Sequence, residues 1–306
     1  MKRLIMLALL VPSTAASAQA GGPFTVRESG AHFATLQDAI RSIGGGSGTI
    51  EIAPGIYREC AVQEAGSITY RAEQPGTVRL GGKACEGKAA LVLRGAAAAV
   101  EGLTFEDIRV PDGNGAGIRL EHGPLSVSES LFRNSQSGIL AGNDAAAAIR
   151  VEHSTFSGLG YCGNDCAHSI YIGDYASLTV DRVRFERGTG GHYVKSRAAR
   201  IAIVDSSFDD SGGHATNYMV DLSNGAAGTI ARNIFVQGKD KENYSGLIVV
   251  AAEGVAHSSA GLAIVGNDAS LAPGAKPTAF VADLSGDPLR IENNRLADGI
   301  ARFQKR

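Results

Sequence analysis

The feature that most constrains this chain is a short pattern that keeps returning. An apolar residue, two or three mostly polar ones and then a Phe recur along the middle of the sequence. The pattern reads VEGLTF ending at Phe105, VSESLF at Phe132, VEHSTF at Phe156, VDRVRF at Phe185, VDSSF at Phe208 and IARNIF at Phe235. These phenylalanines lie 27, 24, 29, 23 and 27 residues apart, and IENNRL ending at Leu296 is a late variant. Each interval holds a second short apolar alternation, such as AGIRL, SGILA, HSIYI, HYVKS or NYMVD, with Gly, Asn, Asp and Ser between the runs. Two or three strands of about four to six residues with period 2 cannot bury their faces alone, but stacked coils can. Each coil then hydrogen-bonds to its neighbours at about 4.8 Å, inward side chains form one column, and a stack of Phe rings closes a corner. The pattern therefore predicts a parallel β-helix. A β-propeller needs about 40 residues or more per blade, and the Leu-x-x-Leu-x-Leu spacing of leucine-rich repeats is absent.

Composition agrees with a strand-rich globular protein. Forty glycines and no Trp accompany 44% hydrophobic residues, too many for a disordered chain. Twenty-nine Lys and Arg against 31 Asp and Glu give a net charge of −2, which argues against a nucleic-acid partner. Residues 1–20, MKRLIMLALLVPSTAASAQA, combine a basic start, a short apolar run and small-x-small sites. They read as a secretory signal, and no segment is long and apolar enough for a transmembrane span. The mature chain, 21–306, is expected to be periplasmic or secreted and monomeric, with a charge of 27 − 31 = −4. In such a compartment Cys60, Cys85, Cys162 and Cys166 suggest two disulfides, most simply Cys60–Cys85 and Cys162–Cys166. A C-x3-C beside a C-x24-C is a poor zinc pattern, so no metal site is assigned. Acids near turns (Asp174, Asp181, Asp205, Asp209, Asp210) leave calcium open without specifying a site.

The N-terminal part begins with ATLQDAI (34–40), then three glycines, then GTIEIAPGIYRE (48–59). Thr35 with Asp38 forms a variant capping box, and Leu36, Ala39 and Ile40 share one helical face. A helix over about 34–43 is expected to cover the open end of the stack. Here the chain resembles the pectin-lyase-like superfamily of right-handed β-helices, in which a "TIQxAI" helix and a "GxTIxIxPGxYxE" strand cap the first coil. The resemblance implies an all-β fold, a single-stranded right-handed parallel β-helix of roughly 9–10 coils. It does not select an activity, because that superfamily includes lyases, hydrolases, esterases, epimerases and non-catalytic adhesins.

A candidate site follows from stacking the coils in register. We align His168–Gly173 with His192–Arg197 and with Asn217–Leu222. Ile170, Val194 and Met219 then point inward, as does Asp221 beside Ile172 and Ser196. Outward columns hold Ser169, Tyr193 and Tyr218, and Tyr171, Lys195 and Val220. Lys195 and Arg197 fall on the same side about 7 Å apart. Arg suits a bidentate grip on a carboxylate and would lower the pKa of the neighbouring Lys. The expected partner is a polysaccharide, most plainly an acidic one, cleaved by β-elimination. Arg197 would neutralise the carboxylate, Lys195 would remove the adjacent proton, and Tyr171 or Tyr193 would protonate the leaving oxygen, with His192 as a further acid or base. Polysaccharide lyases on similar helices use Lys and Arg in this way. Tyr193, Tyr218 and His168 are expected to bind the sugar, and His214 is a weaker candidate.

Other readings stay open. DCAHSIYIG (165–173) is similar to the "GHGISIG" stretch of polygalacturonases, but their "NTD" and "RIK" segments are missing. Asp209-Asp210 is the only Asp-Asp pair, and the "DFIFG"-like strand of pectin methylesterases is absent. An epimerase would use the same proton-abstracting residues. A non-catalytic carbohydrate-binding or envelope-structural β-helix would present the same surface without chemistry. KDKENYSG (239–246) reads as a solvated loop between coils. As an exposed residue, Lys195 should be replaceable by Ala with little change in stability.

Overall fold

Short period-2 runs separated by one- to few-residue corners have one way to satisfy their backbone groups, which is to pair with the equivalent run of the next coil. A computed structural model, describing residues 21–163 and 166–306, has this arrangement. The segment read as an export signal, 1–20, lies outside the described residues, as do the two residues between Gly163 and Cys166. Three parallel sheets run the length of the molecule. The first begins with an antiparallel pair, Phe24–Val26 and Ala31–Phe33, and continues in parallel from Ser47–Ile52 to Arg290–Glu292. The second runs from Gly55–Tyr57 to Arg295–Leu296 and the third from Ala61–Gln63 to Ile300–Lys305, each ten strands deep. The fold is thus a parallel β-solenoid of about nine turns, with one short helix among the described residues.

The second sheet carries the predicted Phe column. Phe105, Phe132, Phe156, Phe185, Phe208 and Phe235 pair in direct register. Their rings stack with centroids 4.9, 4.6, 5.2, 4.8 and 4.9 Å apart. Where Ala269 takes the column position after Phe235, Phe280 packs edge-on against Phe235 from the third sheet, at 5.8 Å. Between the first and second sheets the chain turns at one residue in the left-handed region. In successive coils Glu129, His153, Arg182, Asp205 and Arg232 occupy this corner, all with φ between 45° and 56°. A non-glycine residue there costs about 1–2 kcal/mol, so the ladders on both sides hold the corner in place. Buried serines, then asparagines, follow the corner. Asn233 Nδ2 donates to Asn267 Oδ1 (3.0 Å) and Asn267 Nδ2 to Asn294 Oδ1 (2.9 Å), which ties three coils at their bends.

The N-terminal cap is the helix Leu36–Ile43. Thr35 Oγ1 accepts from the Asp38 amide at 3.2 Å and donates to Asp38 Oδ2 at 2.7 Å, so the capping pair is formed. Leu36, Ala39 and Ile40 are buried over the first coil, and Gly44 (φ 59°) ends the helix. Disulfides join Cys60 to Cys85 and Cys162 to Cys166. No described helix is long and apolar enough to cross a membrane.

In the third sheet the register departs from expectation by one residue. Val194 pairs with Val220, not Met219, so Lys195 pairs with Asp221 and Ser196 with Leu222. Thr216 bridges Gly191 in the preceding coil, so four steps in the later coil (Thr216 to Val220) match three in the earlier one (Gly191 to Val194). The extra residue is accommodated at Met219, whose carbonyl accepts the Val194 amide while its side chain stays in the core. One inserted residue exchanges the two faces of a strand. Asp221 therefore joins the outward column of Lys195, and Val220 points inward.

The Phe column sets a stability expectation. Phe156→Ala should cost about 3–5 kcal/mol, because ring stacking continues on both sides and the gap cannot collapse. The midpoint of chemical denaturation checks this.

Candidate functional site

The outer column of the third sheet is apolar at its sides and polar in the middle. It reads Leu140, Tyr171, Lys195, Asp221 and Val249 over five consecutive coils. The corner before these strands adds His168, His192 and Tyr218. The corner after them adds Arg197, Ser223 and Asn224. A segment that follows the strand Ile248–Val250 folds back across the preceding coils and brings Glu253 over the same spot.

Lys195 is the centre. Its Nζ lies 3.3 Å from Asp221 Oδ2 and also contacts Glu253 Oε1. The residue is only 9% exposed, which corrects the expectation of a solvated lysine. Burial alone would lower its pKa, but the Asp221 and Glu253 carboxylates outweigh burial and raise it. The expected lowering by Arg197 is thus reversed, and Lys195 is a persistent ammonium. Arg197 is held at all three nitrogens. Nε donates to Tyr171 Oη at 3.0 Å, Nη1 to Asn224 Oδ1 at 2.5 Å, and Nη2 to Glu253 Oε2. The guanidinium also lies 5.8 Å from the Tyr171 ring centre.

The two carboxylates beside Lys195 differ in character. Asp221 is 1% exposed, and burial pushes its pKa up despite Lys195 and a hydrogen bond from Ser223 Oγ (2.9 Å). Its Oδ1 is buried with no hydrogen-bond partner. Glu253 is exposed, and there the pull of Lys195 and Arg197 outweighs desolvation and lowers the pKa. Environments that separate two carboxyl groups in this way are a common arrangement for acid and base roles.

The two histidines are stacked as the alignment placed them. Burial, followed by nearby Lys195, holds His168 down to about 3. Burial and the neighbouring His168 and Lys195 push His192 well below its ordinary range. Both are neutral near pH 7. His168 Nδ1 accepts the His192 backbone amide at 3.0 Å and faces His192 Nδ1 at 3.1 Å. A single acceptor there assigns the proton to His192 Nδ1, leaving His192 Nε2 as a free lone pair. That nitrogen is 3.7 Å from Asp221 Oδ2. The His168 ring stacks on Tyr171 at 5.8 Å, and the His192 ring meets Tyr218 at 5.2 Å.

Tyr193 does not face the site. It is 1% exposed, its ring packs between Phe185 and Phe208, and its hydroxyl donates to Asp210 Oδ1 at 2.7 Å. It sits in the corner before the strand, where strict alternation of faces does not apply. Asp210, expected in a turn, is buried with it. Asp210 also accepts from Thr216 Oγ1 (2.9 Å) and Lys241 Nζ (3.0 Å). The Lys241 side chain is fully buried, so part of the expected solvated loop is an anchor. Burial lowers the Lys241 pKa, and Asp210 offsets only part of this. His214 is exposed and pairs with Asp240 outside the cluster. Three other turn acids find basic side chains rather than each other: Asp174 meets His257, Asp181 meets Arg182, and Asp205 meets Arg232.

Sequence reasoning thus brought Tyr171, His168, His192, Lys195, Arg197 and Tyr218 to one place. It missed Asp221 through the register and Glu253 altogether. Glu253 lies 58 residues from Lys195 in an irregular segment, and no spacing points to it.

Two outcomes follow. Lys195→Ala should destabilise the fold by about 3–5 kcal/mol, because it strands a buried carboxylate, whereas exposure would have made it neutral. Thermal melts of the variant check this. The histidines give a pH signature. Above about pH 6.5 both folded and unfolded chains hold neutral imidazoles. As pH falls toward 3, the unfolded chain binds protons that the folded His168 and His192 refuse, so stability falls. Melting temperature against pH should show this slope, and His168→Gln with His192→Gln should flatten it.

Comparison with known proteins places the fold. A model of the right handed beta helix region matches residues 89–272, more than half of the chain. No curated protein sequence matches. Among solved structures, the pectin methylesterase of Aspergillus niger is similar with a TM-score of 0.50 and 13% identity. That match covers 92% of this chain and 87% of that one. The Escherichia coli protein ybhc matches at 12% identity over 95% and 89%, with a TM-score of 0.39. The Streptococcus pneumoniae surface protein and adhesin PfbA matches at 11% over 88% and 94%, with a TM-score of 0.33. At these identities the likeness concerns the fold alone. With its three parallel sheets, its helical cap and the family match, the chain belongs to the right-handed β-helix family.

Proposed function

We propose that this protein acts outside the cytoplasm on an acidic polysaccharide, binding it on the outer face of the third sheet and cleaving it by β-elimination. The observation that carries this reading is the gathering of two fixed cations, Lys195 and Arg197, and the neutral imidazole of His192 around one strand of the third sheet. Two cations side by side suit a uronate carboxylate and the negative charge that builds on it when the adjacent proton leaves. The buried histidines supply what the raised Lys195 cannot, a base that is unprotonated at neutral pH. In this mechanism His192 Nε2 takes the proton beside the carboxylate. The electrons of that C–H bond form the new C=C bond, and the bond to the leaving glycosidic oxygen breaks. Tyr171, held by Arg197, gives its hydroxyl proton to that oxygen and is reprotonated from solvent. Lys195 acts here as a fixed charge, not as the base.

A second reading rests on a different observation. Asp221 and Glu253 flank one ammonium with pKa values pushed in opposite directions, and Asp221 Oδ1 has no partner. That arrangement suits hydrolysis by a carboxyl pair.

The two readings separate on a panel of acidic polysaccharides. Elimination produces ultraviolet absorbance from unsaturated uronide ends together with new reducing ends. Hydrolysis produces reducing ends alone. Retention on the polysaccharide without either signal would leave a carbohydrate-binding protein. In the elimination reading, Arg197→Ala should raise KM by roughly one to two orders of magnitude through loss of a charge-assisted contact.

A further inference from the structure

Glu253 occupies an unusual position for a structural carboxylate. Each of its two oxygens meets a different cation, Oε1 the Lys195 ammonium and Oε2 the Arg197 guanidinium. This is the contact set that an incoming uronate carboxylate would make in the reading above. We propose that Glu253 is an internal substitute for the substrate carboxylate, and that a carboxylated sugar binds by displacing it. The inference rests on the proposed function and names what controls access to that site.

Three features of the structure argue for displacement rather than a fixed bridge. First, the cations do not depend on Glu253 for their positions. Arg197 keeps Tyr171 on Nε and Asn224 on Nη1, and Lys195 keeps Asp221. Removing the Glu253 carboxylate leaves a preorganised pair of positive groups, and binding to such a site avoids much of the ordering cost. Second, Glu253 is carried by an irregular segment, not a ladder. Ala251 (φ 60°) and Gly254 (φ 135°) flank it, and its side chain is 39% exposed while that of Lys195 is 11% exposed. Third, the segment is a strap fastened at separate points. The Glu253 amide donates to the Ser223 carbonyl at 2.8 Å, and the amides of Ala256 and His257 donate to the Asn224 carbonyl. Further along, His257 Nε2 pairs with Asp174 at 3.3 Å. The carboxylate can therefore swing away by side-chain rotation while the strap stays seated.

An internal competitor lowers the apparent affinity of its rival by the fraction of time the site is free. Removing its charge should restore that fraction, and only for ligands that carry a carboxylate. The test is calorimetric titration of the purified protein with galacturonate and glucuronate, with glucose as the neutral control. Glu253→Gln should bind the uronates about tenfold more tightly than the natural chain, with no change for glucose. Asp174→Asn, which loosens the strap without touching the cations, should shift uronate affinity in the same direction by a smaller factor. Melting curves of both variants establish that they are folded. If Glu253→Gln binds uronates equally or more weakly, the substitute role is overturned while the site's function stands. If Glu253→Gln binds uronates more tightly yet abolishes cleavage, the substitute role stands, and the elimination mechanism above falls because Glu253 also serves the reaction as a carboxylate. If folded Glu253→Gln and natural protein both ignore every uronate, the acidic-polysaccharide reading falls and this inference falls with it.

Discussion

Everything in this molecule depends on coil-to-coil pairing of parallel strands. A strand of three residues has no stability of its own, and its backbone groups are satisfied only by the coils before and after. That requirement fixes which side chains become neighbours. Residues about 25 apart in sequence sit about 4.8 Å apart in space, so like stacks on like and any unlike residue must be accommodated by its column. The Phe column, the Asn ladder and the left-handed corners are three consequences of the same rule. The site is a fourth, because Tyr171, Lys195 and Asp221 are adjacent only through the ladder.

The chemistry of the site is a contest between burial and pairing. Lys195 and the two histidines belong to one cluster and are similarly buried, yet they settle on opposite sides of neutrality. Lys195 has two carboxylates in contact and stays charged. The histidines have mainly each other and a cation nearby, and they stay neutral. The interior network of Asp210, Lys241, Tyr193 and Thr216 follows a related logic with a different result. There every group of the cluster is hydrogen-bonded within it, so it fastens a loop to the core rather than presenting a reactive surface.

The fold was legible because its signal is redundant. Six phenylalanines at similar intervals, and a cap segment with its own helix and strand, each point to the same stack. The site was legible only as far as the register was. His168, Tyr171, His192, Lys195 and Arg197 come from two strand segments that pair without an inserted residue, and they converge as aligned. The next coil carries one extra residue at Met219, and from there the alternation argument assigned Asp221 to the wrong face. Tyr193 failed for another reason: at a corner the backbone leaves the extended form, and a side chain can turn inward against its period. Glu253 lay beyond any local rule, since it arrives from two coils away through a segment with no period at all.

The extra residue at Met219 has a consequence for how such a surface changes over time. Losing its codon would remove the bulge and keep Val220 opposite Val194, so Asp221 would stay in the outward column. Pairing Met219 with Val194 instead would shift the rest of the strand by one position, sending Asp221 toward the core and Val220 toward solvent. A stacked coil thus separates architecture from chemistry along a single coordinate. The scaffold tolerates a shift of one residue that exchanges the charged and apolar sides of a strand, so new surfaces can arise by insertion or deletion without rebuilding the core one substitution at a time.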